Sequence, residues 1–141
     1  MLKVYEYQHT VTFEETNLIG NVYYTNFLKW QGMCREHFLR DNVDDFLSLL
    51  DQGWGIVTTH CSCQYVLELF AFEEVVIRMS LRDQISNRMV MDFEYWRNND
   101  NQAELVATGE QGVAFIDTTK EHGKTNALPK SVAKVIKAYL G

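Results

Sequence analysis

The chain has one proline in 141 residues, three cysteines, and no apolar run close to the ~20 residues that span a bilayer. With so little proline, and with 46% hydrophobic and 13% aromatic residues, it is neither disordered nor of low complexity. The cysteines, Cys34, Cys61 and Cys63, are odd in number and spaced unlike a disulfide framework, so reduced thiols are expected. No basic segment followed by an apolar core opens the chain, and a cytoplasmic, soluble protein with no membrane partner is the expectation. Positive charge is also scarce. A formal net charge of -6 argues against nucleic acid, which selects basic footprints.

His60 next to Cys61 and Cys63 raises the question of a metal. Alternate residues of a strand share a face, so the imidazole would point away from both sulfurs, and no second cluster supplies further ligands. Neither a metal nor an organic cofactor is implied.

The length suits a single domain over residues 1–141. Residues 3 to 13 alternate as a half-buried strand does, with Val4, Tyr5, Tyr7, Val11 and Phe13 among polar neighbours. The pattern then breaks. Tyr23, Phe27, Trp30, Cys34 and Phe38 recur at helical spacing, which predicts a helix of about eighteen residues from Val22, with Asn21 as its N-cap after Gly20. A second stripe, Tyr24, Leu28, Gln31 and Arg35, lies beside the first, so the helix is expected to be buried on more than one face.

Residues 43 to 51 predict a shorter helix. Strands are predicted at 55 to 70, 74 to 85, 88 to 98 and 103 to 116, with hairpin turns at Ser86-Asn87 and within the Asn98 to Asn101 run. Pro129 opens a last short helix through Leu140. An antiparallel sheet with a face to cover and a helix that needs covering fit together if the sheet wraps around the helix. This is an α+β, hot-dog-like architecture. Its free edges and helix flank imply a homo-oligomer, a dimer or a dimer of dimers.

The joint between the first strand and the long helix reads FEETNLIGNVYYTNFLKWQG. It resembles the signature of hot-dog thioesterases of the 4-hydroxybenzoyl-CoA thioesterase type, with an acidic position three residues before a glycine, an aromatic residue in the helix and an arginine near its end. It is more similar still to the thioesterases of enediyne polyketide biosynthesis. In these an Asn replaces the usual Asp, and Phe-Glu-Glu-Thr-Asn-Leu precedes a Gly-Asn-Val-Tyr turn. The resemblance implies a thioester hydrolase that releases a β-ketoacyl or polyenoyl chain from an acyl carrier protein or polyketide synthase carrier domain.

Carried over, the catalytic positions are Asn17 and Arg35. Phe27 stands where the enediyne group has a tyrosine. Either that hydroxyl is dispensable, or Tyr23 or Tyr24 supplies one, or the substrate is handled differently.

An amide is neither a base nor a nucleophile, so Asn17 can serve only to position water or the thioester. A turn residue is the bland alternative. The N–H groups of Gly20 to Tyr24 at a helix start would form an oxyanion hole for the small-molecule acyl thioester. Arg35, fourteen residues past Asn21, would lie about 21 Å along the helix, beyond reach of Asn17 in one subunit. It either reaches a partner subunit's Asn17 or pairs with Glu14, Glu15 or Glu36. Of Glu14 and Glu15, at most one can face a site.

Beyond Asp117 the chain carries +4 against -10 for the rest. The segment is either a solvated face or a docking patch for an acidic carrier or CoA phosphates.

Overall fold

The computed structural model describes residues 3–141. Five strands form one antiparallel sheet: β1 (Val4–Thr10), β2 (Trp54–Tyr65), β3 (Glu74–Ile85), β4 (Arg88–Asn99) and β5 (Gln102–Asp117), in the spatial order β1-β3-β4-β5-β2. The helices are α1 (Thr25–Asn42), α2 (Phe46–Asp51) and α3 (Lys130–Leu140). Two-residue loops join β3 to β4 and β4 to β5. Asp100 (φ 50) and Asn101 (φ 65) both lie in the left-handed region, as in the tight turns whose twist matches a hairpin.

Alternation decides which face is covered. Val75, Ile77, Met79 and Leu81 of β3, with Met89, Met91, Phe93 and Tyr95 of β4, are buried against α1 and its Phe27, Trp30, Cys34 and Phe38. Tyr139 of α3 closes one end, its ring edge-on to Phe38 at 4.9 Å. Among the described residues no helix is long and apolar enough to cross a membrane.

Four boundaries differ from expectation, the simplest being the start of α2 at Phe46 instead of residue 43. β1 ends at Thr10, and a 3-10 turn over Phe13–Glu15 follows. β2 stops at Tyr65, because the amides of Val66 and Leu67 both turn to the Val106 carbonyl. The long helix has the expected eighteen residues but starts at Thr25, with Tyr24 and not Asn21 at its cap. The reason is tertiary. Asn21 and Val22 bridge to Phe70 and Thr16, which holds them extended. As a result Tyr23 and Tyr24 lie outside the helix and are exposed, and of the two stripes only Phe27, Trp30, Cys34 and Phe38 of the first form an apolar, buried row.

Candidate active site

The stretch from Thr16 to Tyr24 is a turn pinned by its own backbone. Asn17 N–H donates to Asn21 O (2.8 Å), Gly20 N–H to Asn17 O (2.9 Å), Val22 N–H to Leu69 O (2.8 Å) and Tyr23 N–H to Glu15 O (2.9 Å). Gly20 sits at φ +95, a conformation that a side chain would strain. Asn17 is exposed at this turn, and its Oδ1 accepts the Ile19 N–H at 3.3 Å. Its Nδ2 has no partner among the described residues.

Of the five amides predicted to form an oxyanion hole, those of Gly20, Val22 and Tyr23 are therefore taken by carbonyls. The amides of Asn21 and Tyr24 make no backbone hydrogen bond, and Tyr24 with Thr25 stands at the true helix start, where a helix has unpaired N–H groups and its positive dipole end. The exposed rings of Tyr23 and Tyr24 lie 4.9 Å apart beside them.

A buried carboxylate holds this turn on the core. Glu15, 5% exposed, accepts from Thr12 N–H (2.8 Å) and Trp30 Nε1 (2.8 Å) and meets His9 Nε2 at 2.9 Å. Burial by itself would raise its pKa, but these three hydrogen bonds with the His9 charge outweigh it and lower it below the usual carboxylate value. Its backbone oxygen also accepts from Asn26 Nδ2 (2.9 Å), tying turn to helix. From sequence, at most one of Glu14 and Glu15 was expected to face a site, on the premise that adjacent residues of a strand point oppositely. The structure puts the acidic pair in a 3-10 turn with Glu15 inward and Glu14 exposed, so Glu15 is an anchor. An apolar strand carrying His9, followed by an acidic residue and later by Trp30, was the available signal.

Phe27 is buried, its ring edge-on to Tyr65 at 5.1 Å and to Tyr95 at 5.3 Å. Both of these ring partners carry a hydroxyl. Tyr65 donates to Tyr24 O (3.0 Å) and Tyr95 to Phe27 O (2.7 Å). Tyr65 was not anticipated from sequence, since β2 gave no sign of which face would meet the helix start. Burial, with nearby Cys63, pushes its hydroxyl up to about 12, so it remains a donor at neutral pH. Burial likewise pushes Cys34 up to about 12 and Cys63 to about 11. Neither thiol is ionised at neutral pH, so neither is an activated nucleophile.

Arg35 is largely buried. Its Nη1 donates to Gln111 Oε1 at 2.8 Å, its Nη2 lies 3.7 Å from Glu36, and its Nε is buried with no acceptor. Burial lowers its pKa, partly offset by Glu36. The side chain borders a cavity of about 420 Å³ walled by Phe46, Leu47, Leu50 and Ile56, with Arg40 at its margin. Of the acidic partners considered from sequence, Glu36 is the one in reach. Asn17 and Arg35 share no contact within the protomer.

One turn earlier on the same stripe, Gln31 Nε2 donates to Ser62 O at 2.9 Å while its buried Oε1 has no donor. A Cβ on Gly109 would lie 2.3 Å from that Nε2, so glycine is what lets the carboxamide lie on β5. His60 meets Glu110 at 2.7 Å on the other face of the sheet from Cys61 and Cys63.

A sheet curled around one long helix, with a glycine turn delivering an Asn to the helix start, defines the hot-dog class. Residues 11–136 match the thioesterase-like superfamily, and the chain belongs to it. It is a thioester hydrolase. It is similar over 97% of both chains to the dynemicin thioesterase, at 38% identity and a TM-score of 0.90. A 1,4-dihydroxy-2-naphthoyl-CoA thioesterase from Synechocystis shares the fold over 99% of both chains, with a TM-score of 0.82 at 17% identity. A putative esterase of Aquifex aeolicus (strain VF5) is 25% identical over 134 residues, covering 93% of this chain and 96% of that protein.

Proposed function

We propose that the enzyme hydrolyses a β-ketoacyl or polyenoyl thioester presented by the carrier domain of a polyketide synthase of the enediyne type. The observation that carries this reading is the residue at the turn: an exposed Asn17 with a free Nδ2, beside the open amides of Tyr24 and Thr25, in a 13-to-35 stretch that resembles the enediyne thioesterases. The 38% identity with the dynemicin thioesterase supports the same direction.

Water attacks the thioester carbonyl, the C–S bond breaks, and the acid and the carrier thiol are released. Asn17 positions the water or the thioester by hydrogen bonds, and the two amides stabilise the oxyanion. A thioester is an activated acyl donor, and a 3-oxo group adds its own electron withdrawal, so positioning without a strong base is sufficient. The resulting β-keto acid loses carbon dioxide readily to give a methyl ketone, or a hydrocarbon from a suitable polyene.

The site is completed by a second protomer. The free edge of β2, the exposed inner-face residues Cys61 and Tyr65, and the outward Leu18, Ile19, Tyr23 and Tyr24 support pairing of two copies. With the α1 helices antiparallel, Arg35 of one copy approaches Asn17 of the other. Mixed dimers of Asn17→Ala and Arg35→Ala chains should regain activity that each folded single variant lacks, and failure to regain any counts against the shared site.

Product mass spectrometry decides the substrate. A 3-oxoacyl chain on a carrier protein is compared with the same chain on CoA and with a saturated acyl-CoA. Fastest release of the acid or its decarboxylated ketone from the carrier supports the proposal. Preference for the saturated CoA ester makes the enzyme a general acyl-CoA thioesterase, and binding without turnover makes it an acyl-binding protein.

A further inference from the structure

Of the cations that make no salt bridge among the described residues, five are lysines of the C-terminal segment and the others are Lys3, Lys29 and Arg88. Arg35, Arg40, Arg78, Arg82 and Arg97 each pair with a carboxylate, whereas among the described residues Lys120, Lys124, Lys130, Lys134 and Lys137 make no salt bridge and all are exposed. Two of them converge. Lys120 and Lys124, with Thr125 and Asn126, line a cleft of about 430 Å³ in the loop between β5 and α3.

Of the nearby carboxylates, Asp117 has its pKa lowered first by its hydrogen bonds from Thr119, and it is close enough to Lys120 for the lysine's charge to help lower it. Asp117 accepts the Thr119 N–H (3.0 Å) and hydroxyl (2.6 Å), and Glu121 lies 3.5 Å from His122. Two free ammonium groups, a hydroxyl and a carboxamide suit a phosphate, since each can donate to its oxygens.

The position of the cleft matters as much as its chemistry. Thr118 donates through both N–H (2.8 Å) and hydroxyl (2.6 Å) to Gly53 O, which fastens the lysine loop to the turn after α2. The α2 residues Phe46, Leu47 and Leu50 wall the Arg35 cavity. The cationic cleft and that apolar cavity thus adjoin the same helix.

We infer that the Lys120-Lys124 cleft binds the phosphate of the substrate's pantetheine arm, whether that phosphate belongs to CoA or to a carrier-domain phosphoserine, while the arm runs past α2 towards Arg35. This inference rests on the thioesterase reading for the route of the arm, but the cleft itself can be tested without turnover.

The Lys120→Ala/Lys124→Ala protein is compared with wild type and with a charge-matched Lys130→Ala/Lys134→Ala control on one acyl chain in three forms: the phosphate-free N-acetylcysteamine thioester, the CoA thioester and the carrier-bound thioester. The cleft variant should lose about tenfold or more in kcat/KM, expressed in KM, on a phosphate-bearing form and nothing on the phosphate-free one. Loss on the carrier form alone identifies the phosphoserine, loss on the CoA form alone identifies CoA, and loss on both identifies a shared phosphate subsite. Equal kcat/KM on all three forms, an equal fall on all three, or an equal fall in the control overturns the inference.

Calorimetric titration with free CoA and with holo carrier protein provides a second readout. Weakened binding of either by the cleft variant supports the site even if no thioester turns over, and unchanged binding of both excludes it. Absence of turnover by the wild type on all three forms, in contrast, removes the proposed function.

Discussion

The two flanks of α1 differ sharply. On one side Phe27, Trp30, Cys34 and Phe38 are buried against β3 and β4, and the polar groups there, Glu15 and Tyr95, have their hydrogen bonds made. On the other side Gln31 Oε1 and Arg35 Nε are buried without partners, and the inner-face residues Cys61 and Tyr65 of β2 remain exposed. A folded protein satisfies nearly all of its buried polar groups; among the described residues the other two left unpaired are Asn21 Oδ1, in the turn before α1, and Ser131 Oγ, on α3. The closed flank holds the core, and the open flank is the one to which the proposed site is assigned.

The comparison is broken most severely from the closed side. Phe38→Ala should cost about 3–5 kcal/mol in chemical denaturation, since the ring contacts both Tyr5 and Tyr139 and would leave a cavity. A loss below about 1 kcal/mol would mean that the core is looser than its packing implies.

The open side is read by kinetics. Asn17→Ala should lower kcat/KM by about a hundredfold with the unfolding midpoint unchanged, whereas Asn17→Asp keeps appreciable activity and gains a dependence on pH as the new carboxyl titrates. Equal losses in both variants would remove the positioning role.

Glu15 links the flanks, and Glu15→Gln should cost about 2 kcal/mol by removing charge-assisted hydrogen bonds. Because the folded-state pKa of Glu15 is depressed, its contribution is full above the unfolded carboxyl pKa and disappears as pH falls through the folded value. The wild type should therefore lose its advantage over Glu15→Gln on acidification, and a constant gap measured by urea unfolding from neutral to acidic pH would contradict this.

The smallest effect is expected for Tyr65→Phe. Loss of the bond to Tyr24 O should cost about 1 kcal/mol or less and shift KM more than stability, because this hydroxyl fixes the helix start and not the core.

Much of this was present in the order of residues. The alternation of β3 and β4, the two-residue turns and the eighteen-residue length of α1 are local properties, set by periods of 2 and 3.6 and by Asn-rich turn chemistry, and they appear at the expected places. Asn17, Gly20 and Arg35 were likewise singled out by their motif. Where α1 begins was not legible, because Asn21 has good capping chemistry and is held extended only by a partner nearly fifty residues away, Phe70. Nor was the roster of committed amides, the inward turn of Glu15 onto His9 and Trp30, or the approach of Tyr65 to Phe27. Each depends on contacts between residues distant in sequence. Periodicity and residue chemistry set the elements, and the resemblance of the 13-to-35 stretch pointed to Asn17 as the proposed catalytic position. Only the tertiary structure decided which donors remain free to act there, because a hydrogen bond made to one partner is unavailable to another.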